Sequence, residues 1–306
     1  IFKSIFEPVF GNFDSLKKHR KSIKSIKSIH KSLFTIESRW RINKIDAIES
    51  PIFLFSAGWR SGSTLLQRIV NSSENILIWG EPYTFSDYIR KLGDSLKIFT
   101  MHYPPDNFFI DHYNNNKHCN LSNLWTANLY PNPYYIWKSH RSFFLHLYED
   151  PAKNLGFNNW GIKEVRLDIE YAFYLQWLFP NARFIFLYRN PYEAYKSYRT
   201  YGNWYDKWPE RPIFTPYKFG QIWKNLLAGY ISKHSLLNSI IIRYEDFLVN
   251  DKSIDNLYRF LGQHFDPDVL NKKVTGRIKI EKPDIPLLEK LLLRYSVNPL
   301  AKDIGY

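Results

Sequence analysis

A turn bracketed by two glycines constrains this chain more than any other feature. Ile52–Phe55 is a short, wholly apolar run of the kind a buried parallel strand shows. Gly58 and Gly62 then enclose Trp59, Arg60 and Ser61, and Ser63 and Thr64 follow. Leu65, Leu66, Ile69 and Val70 recur at helical spacing. A second apolar run, Ile76–Trp79, ends two residues before Glu81. The pattern predicts strand, glycine turn, helix, strand and then a carboxylate. Backbone N–H groups at such a helix start, with Ser and Thr hydroxyls beside them, cradle a phosphate dianion. The chain is therefore expected to handle a nucleotide phosphate.

Composition narrows the classes. With 306 residues, 44% of them hydrophobic, the chain suits one large globular α/β domain. No run approaches the ~18 apolar residues of a membrane-spanning helix, and the N-terminal segment reads without a signal-peptide apolar region. Cys119 is the only cysteine, which excludes an intrachain disulfide and predicts a reducing, cytoplasmic setting. Lys and Arg number 42 against 29 Asp and Glu, a net charge of +13, so an anionic partner is expected. No nucleic-acid motif accompanies that charge, and the aromatics are spread over the whole chain, so nucleic acid is not the expected partner.

Residues 1–49 read as a basic helical extension. They carry a threefold Lys-Ser-Ile repeat, Lys21–Ile29, followed by His30, Lys31, Ser32 and Leu33. On a helix, Lys21, Lys24, Lys27 and Lys31 share one side and Ile23, Ile26, Ile29 and Leu33 another. Residues 17–31 would touch an anionic membrane surface weakly, or simply pack the isoleucine stripe on the main domain. Residues 50–306 form that domain. Its strands are expected at Ile52–Phe55, Ile76–Trp79, Trp160–Lys163, Arg183–Tyr188 and Ile240–Arg243. Helical patterns separate them: Thr64–Asn71, part of Tyr83–Leu92, Leu167–Leu178, Tyr192–Tyr201, Phe219–His234 and Phe247–Leu261. Alternation of this kind predicts a three-layer α/β/α fold on a central parallel sheet, with ligands at the C-terminal strand ends. Residues 95–150, punctuated by Pro104-Pro105, Asn114–Asn116 and Pro131-Asn132-Pro133, read as an insertion covering the site and binding the acceptor, with short helices at Leu121–Asn128 and Ser142–Tyr148.

The phosphate loop is not that of an ATPase or GTPase. In the frame Ala57–Thr64, Ala57 replaces the first glycine and Ser63 the lysine that reaches the β and γ phosphates. No acidic strand end for Mg²⁺ is evident, which argues against a P-loop kinase-like nucleotide-binding protein, the alternative from outside the transferases. The loop GWRSGSTLL instead resembles the 5′-phosphosulfate loop of the PAPS-dependent sulfotransferases, which use 3′-phosphoadenosine-5′-phosphosulfate as sulfuryl donor. Arg183–Arg199 resembles that family's 3′-phosphate segment, Trp160–Arg166 its short strand ending in a catalytic lysine, and Ile242–Leu248 its Tyr-Glu-Asp segment. Together these cover about two-thirds of the chain. The separations Arg60–Glu81 (21 residues), Lys163–Arg189 (26) and Arg189–Tyr244 (55) resemble the tyrosylprotein branch and its bacterial relatives.

The resemblance implies roles. Glu81 would be the general base; Lys163 and Arg60 would stabilise the leaving phosphate oxygen. Arg60, Ser61, Gly62, Ser63 and Thr64 would bind the 5′ end of PAPS, Arg189 and Ser197 its 3′-phosphate, and Tyr244 would also bind the cofactor. The products would be a sulfated small-molecule acceptor, O- or N-linked, and adenosine 3′,5′-bisphosphate, with no metal required. Carbohydrate, glycolipid or peptidyl tyrosine are the alternative acceptors. His140, in Trp137-Lys138-Ser139-His140, is a rival base, because this run resembles the Lys-Thr-His element of cytosolic sulfotransferases. A late basic segment, Arg277, Lys279 and Lys282, would either reach a phosphate or remain a solvated strand.

Overall fold

The computed structural model describes residues 28–45, 47–81, 87–114, 121–123, 125–200, 213–249, 251–270 and 284–306. Most of the Lys-Ser-Ile repeat lies outside them, as do Arg277, Lys279 and Lys282. In chain order the main elements are α1 (Ile29–Trp40), β1 (Ile52–Ser56), α2 (Ser63–Val70), β2 (Ile76–Trp79), α3 (Tyr88–Ser95) and α4 (Pro133–Phe144). Then come β3 (Asn159–Glu164), α5 (Ile169–Leu178), β4 (Arg183–Tyr188), α6 (Pro191–Arg199), α7 (Pro216–Lys233), β5 (Ser239–Arg243), α8 (Asp251–Leu261) and α9 (Leu287–Val297). The expected α/β architecture is what is found: one five-stranded sheet in the order β2-β3-β1-β4-β5, every pairing parallel.

Side-chain alternation gives this sheet two different faces. Ile52 and Leu54 of β1, Ile76 and Ile78 of β2, Ile185 and Leu187 of β4 and Ile242 of β5 form an aliphatic layer. Leu66, Ile69 and Val70 of α2 and Ile254, Leu257 and Leu261 of α8 pack in the same cluster. In β1 and β4 the intervening residues are aromatic: Phe53, Phe55, Phe184 and Phe186. Phe53 lies edge-on to Trp160 at 6.1 Å, Phe55 edge-on to Phe186 at 6.1 Å, and Phe186 stacks on Tyr230 of α7 at 4.6 Å. Both faces are covered, so every β1 residue is buried, as in sheets built from βαβ units. Truncating a ring such as Phe184, fully buried, would cost about 3–5 kcal/mol.

The chain groups into two compact units, residues 1–44 with 91–139, and residues 45–90 with 140–306. The sheet belongs to the second. In the first, α1 buries Ile29, Leu33 and Ile36. Its last turn places Trp40 edge-on to Phe99 at 5.6 Å and to Phe109 at 5.1 Å.

Several helices differ from expectation. Pro131-Asn132-Pro133 does not merely punctuate a loop. Asn132 Oδ1 accepts the N–H of Tyr134 at 2.7 Å and Pro133 opens α4, the position where a missing N–H costs nothing. The helical path then continues through a π-helical stretch, Leu145–Glu149, into Asp150–Asn154, whereas only Ser142–Tyr148 was expected. At Leu121–Asn128 the helix among the described residues is a 3₁₀ turn, Leu121–Asn123. Of the expected helix Phe247–Leu261, the described residues are helical in Tyr244–Val249 and in α8, and Asn250 lies outside the described residues.

Candidate active site

All five strands run parallel, so their C-terminal ends share one edge of the sheet. The connection leaving β1 through α2 travels toward β2, while that leaving β4 through α6 and α7 travels to β5 on the opposite side. Neighbouring strands whose connections diverge open a crevice beyond their C-terminal ends. Here the pair is β1 and β4.

The loop after β1 is held in a tight, left-handed path. Gly58, Arg60 and Gly62 have φ of 84°, 63° and 90°. Arg60 is the costly member, because a side chain in this region crowds its own carbonyl. Ser61, buried, secures the turn by donating its hydroxyl to the carbonyls of Gly58 (2.6 Å) and Ala57 (3.3 Å). Gly62 is required twice over. Beyond its positive φ, a Cβ there would lie 2.1 Å from the Tyr244 ring, which packs directly on the backbone. α2 begins at Ser63 with no side chain capping it; the Leu65 and Leu66 N–H groups donate to the Gly62 carbonyl at 2.9 and 3.2 Å, and the N–H groups ahead of them carry the positive end of the helix dipole. By contrast, α6 is closed by Asn190 Oδ1, which accepts the N–H groups of Tyr192 and Glu193.

Two clusters gather the expected site residues. In the first, Arg60 Nε donates to Ser197 Oγ at 3.0 Å, and Arg189 Nη1 donates to the Arg60 carbonyl at 3.1 Å. The Arg189 guanidinium lies 4.5 Å from the centre of the Tyr244 ring. Thus Gly62, Arg60, Arg189, Ser197 and Tyr244 meet at the β1–β4 crevice, and Arg60 turns toward Ser197. Ser63 is buried and Thr64 exposed on the first turn of α2 beside them. In the second cluster, Lys163, paired with Leu54 across β3 and β1, extends its Nζ to Glu81 Oε1 at 2.5 Å. Their side chains are 8% and 22% exposed. Glu81 follows β2, the other neighbour of β3, so the parallel register alone brings together two residues 82 positions apart.

His140 is engaged elsewhere. Its Nδ1 lies 3.0 Å from the Tyr174 hydroxyl, and burial drives its pKa from 6.5 down to about 4. In the unfolded chain it protonates near 6.5 and in the folded chain only near 4, so between these values the unfolded state binds more protons. Stability is therefore expected to fall as pH drops through this window. Melting temperatures of the wild type and His140→Gln, compared from pH 7 to pH 4, should show the shallower loss in the variant.

Sequence reasoning missed the residues that fix Arg189. Trp223 of α7 donates its indole N–H to the Arg189 carbonyl at 3.0 Å. Glu245 accepts the Asn190 N–H on Oε1 at 2.9 Å and the Tyr306 hydroxyl on Oε2 at 2.6 Å. Glu164 and Arg166, 2% and 1% exposed, form a buried pair just past Lys163. The Glu164 carboxylate also accepts the backbone N–H groups of Val165 and Arg166. Charged residues flanking a buried strand end were the available signal for this pair; Trp223 and Tyr306 carried none.

Residues 51–267 match the model of a family described as the Sulfotransferase family. Among solved structures, the chain is similar to the sulfotransferase domain from the Synechococcus PCC 7002 olefin synthase, with 17% identity, TM-score 0.49, and coverage of 88% of this chain and 98% of that one. It is also similar to the sulfotransferase domain from the curacin biosynthetic pathway, with 19% identity, TM-score 0.46, and coverage of 72% and 77%. No curated protein matches it.

Proposed function

The chain belongs to the sulfotransferase family, and from that premise we propose that it moves the sulfuryl group of PAPS onto a hydroxyl or amine of a small-molecule acceptor by in-line displacement. The observation that carries the nucleotide reading is the cluster that Arg60 of the loop forms with Arg189, Ser197 and Tyr244 at the β1–β4 crevice.

The residues fit such a donor. Among the described residues, the buried Arg189 Nε has no hydrogen-bond partner, although a buried donor normally has one; a 3′-phosphate would supply an acceptor, with the Ser197 hydroxyl beside it. An always-charged planar guanidinium suits that task. The N–H groups of Ser61, Gly62, Ser63 and Thr64, with the Ser63 and Thr64 hydroxyls, suit the 5′-phosphosulfate end. Bound PAPS supplies a sulfuryl group whose bond to the 5′-phosphate oxygen breaks during transfer.

The remaining chemistry falls to Glu81 and Lys163. The Glu81 carboxylate takes the proton that the acceptor loses as it attacks. The Lys163 ammonium stabilises the negative charge developing on the leaving phosphate oxygen. Their 2.5 Å pairing keeps a base and a cation together until substrates enter. The aromatic share of the chain, 18%, supports a small organic acceptor.

Titration with adenosine 3′,5′-bisphosphate and, separately, with ATP and Mg²⁺ tests the donor reading. Saturable binding of the bisphosphate in the presence of chelator is expected, with ATP much weaker. Mg²⁺-dependent ATP binding that exceeds it would refute the reading. An acceptor screen with labelled PAPS, read by product mass, then identifies the acceptor.

A further inference from the structure

We propose that a cavity within the unit formed by residues 1–44 and 91–139 is a binding site for an uncharged aromatic small molecule. The cavity encloses about 440 Å³, within the roughly 300–1,000 Å³ span of small-molecule sites. Leu96, Phe99 and Phe109 are buried and form its floor. Ile98, Tyr103 and Tyr130 also line it, yet are 46%, 45% and 60% exposed, so they mark a mouth open to solvent.

The chemistry of the lining selects the ligand. Among the described residues none of Asp, Glu, Lys, Arg or His lines the cavity, in a chain where 23% of residues are charged. A charged ligand would lose its hydration there and meet no counter-ion. Five rings face the space, those of Phe99, Tyr103, Phe108, Phe109 and Tyr130. Aromatic partners gain edge-to-face and offset contacts beyond simple burial. Asn128 and the two tyrosine hydroxyls provide neutral polar groups for orientation.

The walls are pinned open rather than loosely packed. Arg39 donates to the carbonyls of Thr100 and Pro104 and to Asp106 Oδ1, each at 2.7 Å. The Tyr130 N–H donates to the Phe108 carbonyl at 2.7 Å, and the Ile110 N–H to the Tyr130 carbonyl at 2.9 Å, joining two wall segments distant in sequence. Trp40 backs both Phe99 and Phe109. A preformed cavity of this kind spares a ligand the cost of ordering it.

The test uses N-phenyl-1-naphthylamine, a neutral aromatic dye that brightens in apolar surroundings, titrated into the full chain. Saturable one-to-one binding is expected. Ala127→Trp, which fills the rim, and Ile98→Asp, which puts a carboxylate at the mouth, should each weaken it about tenfold or more. Both positions are exposed, so folding should survive, and unchanged melting temperatures verify it. Leu288→Ser, on the exposed leucine face of α9, should leave dye binding unchanged. Absence of saturation, wild-type binding by both cavity variants, or loss of binding in Leu288→Ser overturns the proposal. It rests on this unit alone, so its failure is separate from any failure of the sulfuryl-transfer reading, which bisphosphate titration reports.

Discussion

Lys163→Ala is expected to slow sulfuryl transfer by about 100- to 1,000-fold, while adenosine 3′,5′-bisphosphate binds nearly as in the wild type. The split follows from geometry. Lys163 is among the described residues the cation that meets Glu81, at 2.5 Å, whereas the other expected phosphate ligands gather around Arg60 and Arg189. Its charge therefore matters for the transition state more than for holding the nucleotide. Glu81→Gln, which keeps shape but removes the base, should cost about 100- to 10,000-fold. The two losses should not add, because residues that act as one unit give strongly non-additive effects. Lys163→Arg restores charge without the compact ammonium and should rescue only part of the rate. Single-turnover measurements with labelled PAPS and an identified acceptor read the wild type, the three single variants and the Lys163→Ala/Glu81→Gln double variant. Breaking a largely buried pair also leaves an unpaired charge, so melting curves must accompany the rates. If Lys163→Ala and Glu81→Gln both turn over at the wild-type rate in folded protein, neither residue does the chemistry assigned to it.

The sheet was legible because its three central strands are buried on both faces, while the partly buried edge strands β2 and β5 still carry short apolar runs. Such strands read as continuous apolar runs, and Ile52–Phe55, Ile76–Trp79, Arg183–Tyr188 and the rest emerged within a residue or so of the observed ends. The helices of residues 95–150 were less legible because proline is ambiguous. It stops a helix when it follows one and starts a helix at the first position, and Pro133 does the second. No expected element covers α9, which lies beyond the last strand, where the strand–helix alternation has ended. The loop and the strand-end residues could be found locally, since a glycine turn and a charged residue closing an apolar run are local signals. Trp223 and Tyr306, 34 and 117 residues beyond Arg189 in the chain, act on that segment only through tertiary folding. No spacing rule reaches them.

Arg189→Met should weaken adenosine 3′,5′-bisphosphate by about 10- to 100-fold, the value of one or two charge-assisted hydrogen bonds, and leave adenosine 5′-monophosphate nearly unaffected. The second ligand lacks only the 3′-phosphate, so the comparison isolates the interaction assigned to this guanidinium. The side chain is prepared for that task. Its carbonyl is fixed by Trp223, the next N–H by Glu245, and its guanidinium lies against the Tyr244 ring. Methionine keeps most of the apolar stem and so limits the packing change. Gly62→Ala probes the same assembly from the other side. Its Cβ would overlap the Tyr244 ring at 2.1 Å on a backbone with φ of 90°, so the loop or the ring must move. Because that displacement disturbs the 5′ cradle as well, Gly62→Ala should weaken both nucleotides. Calorimetric titration of the two ligands against the two variants completes the square. If Arg189→Met weakens the monophosphate as much as the bisphosphate, Arg189 supports the loop rather than the 3′-phosphate, and the assignment of this end of the site fails.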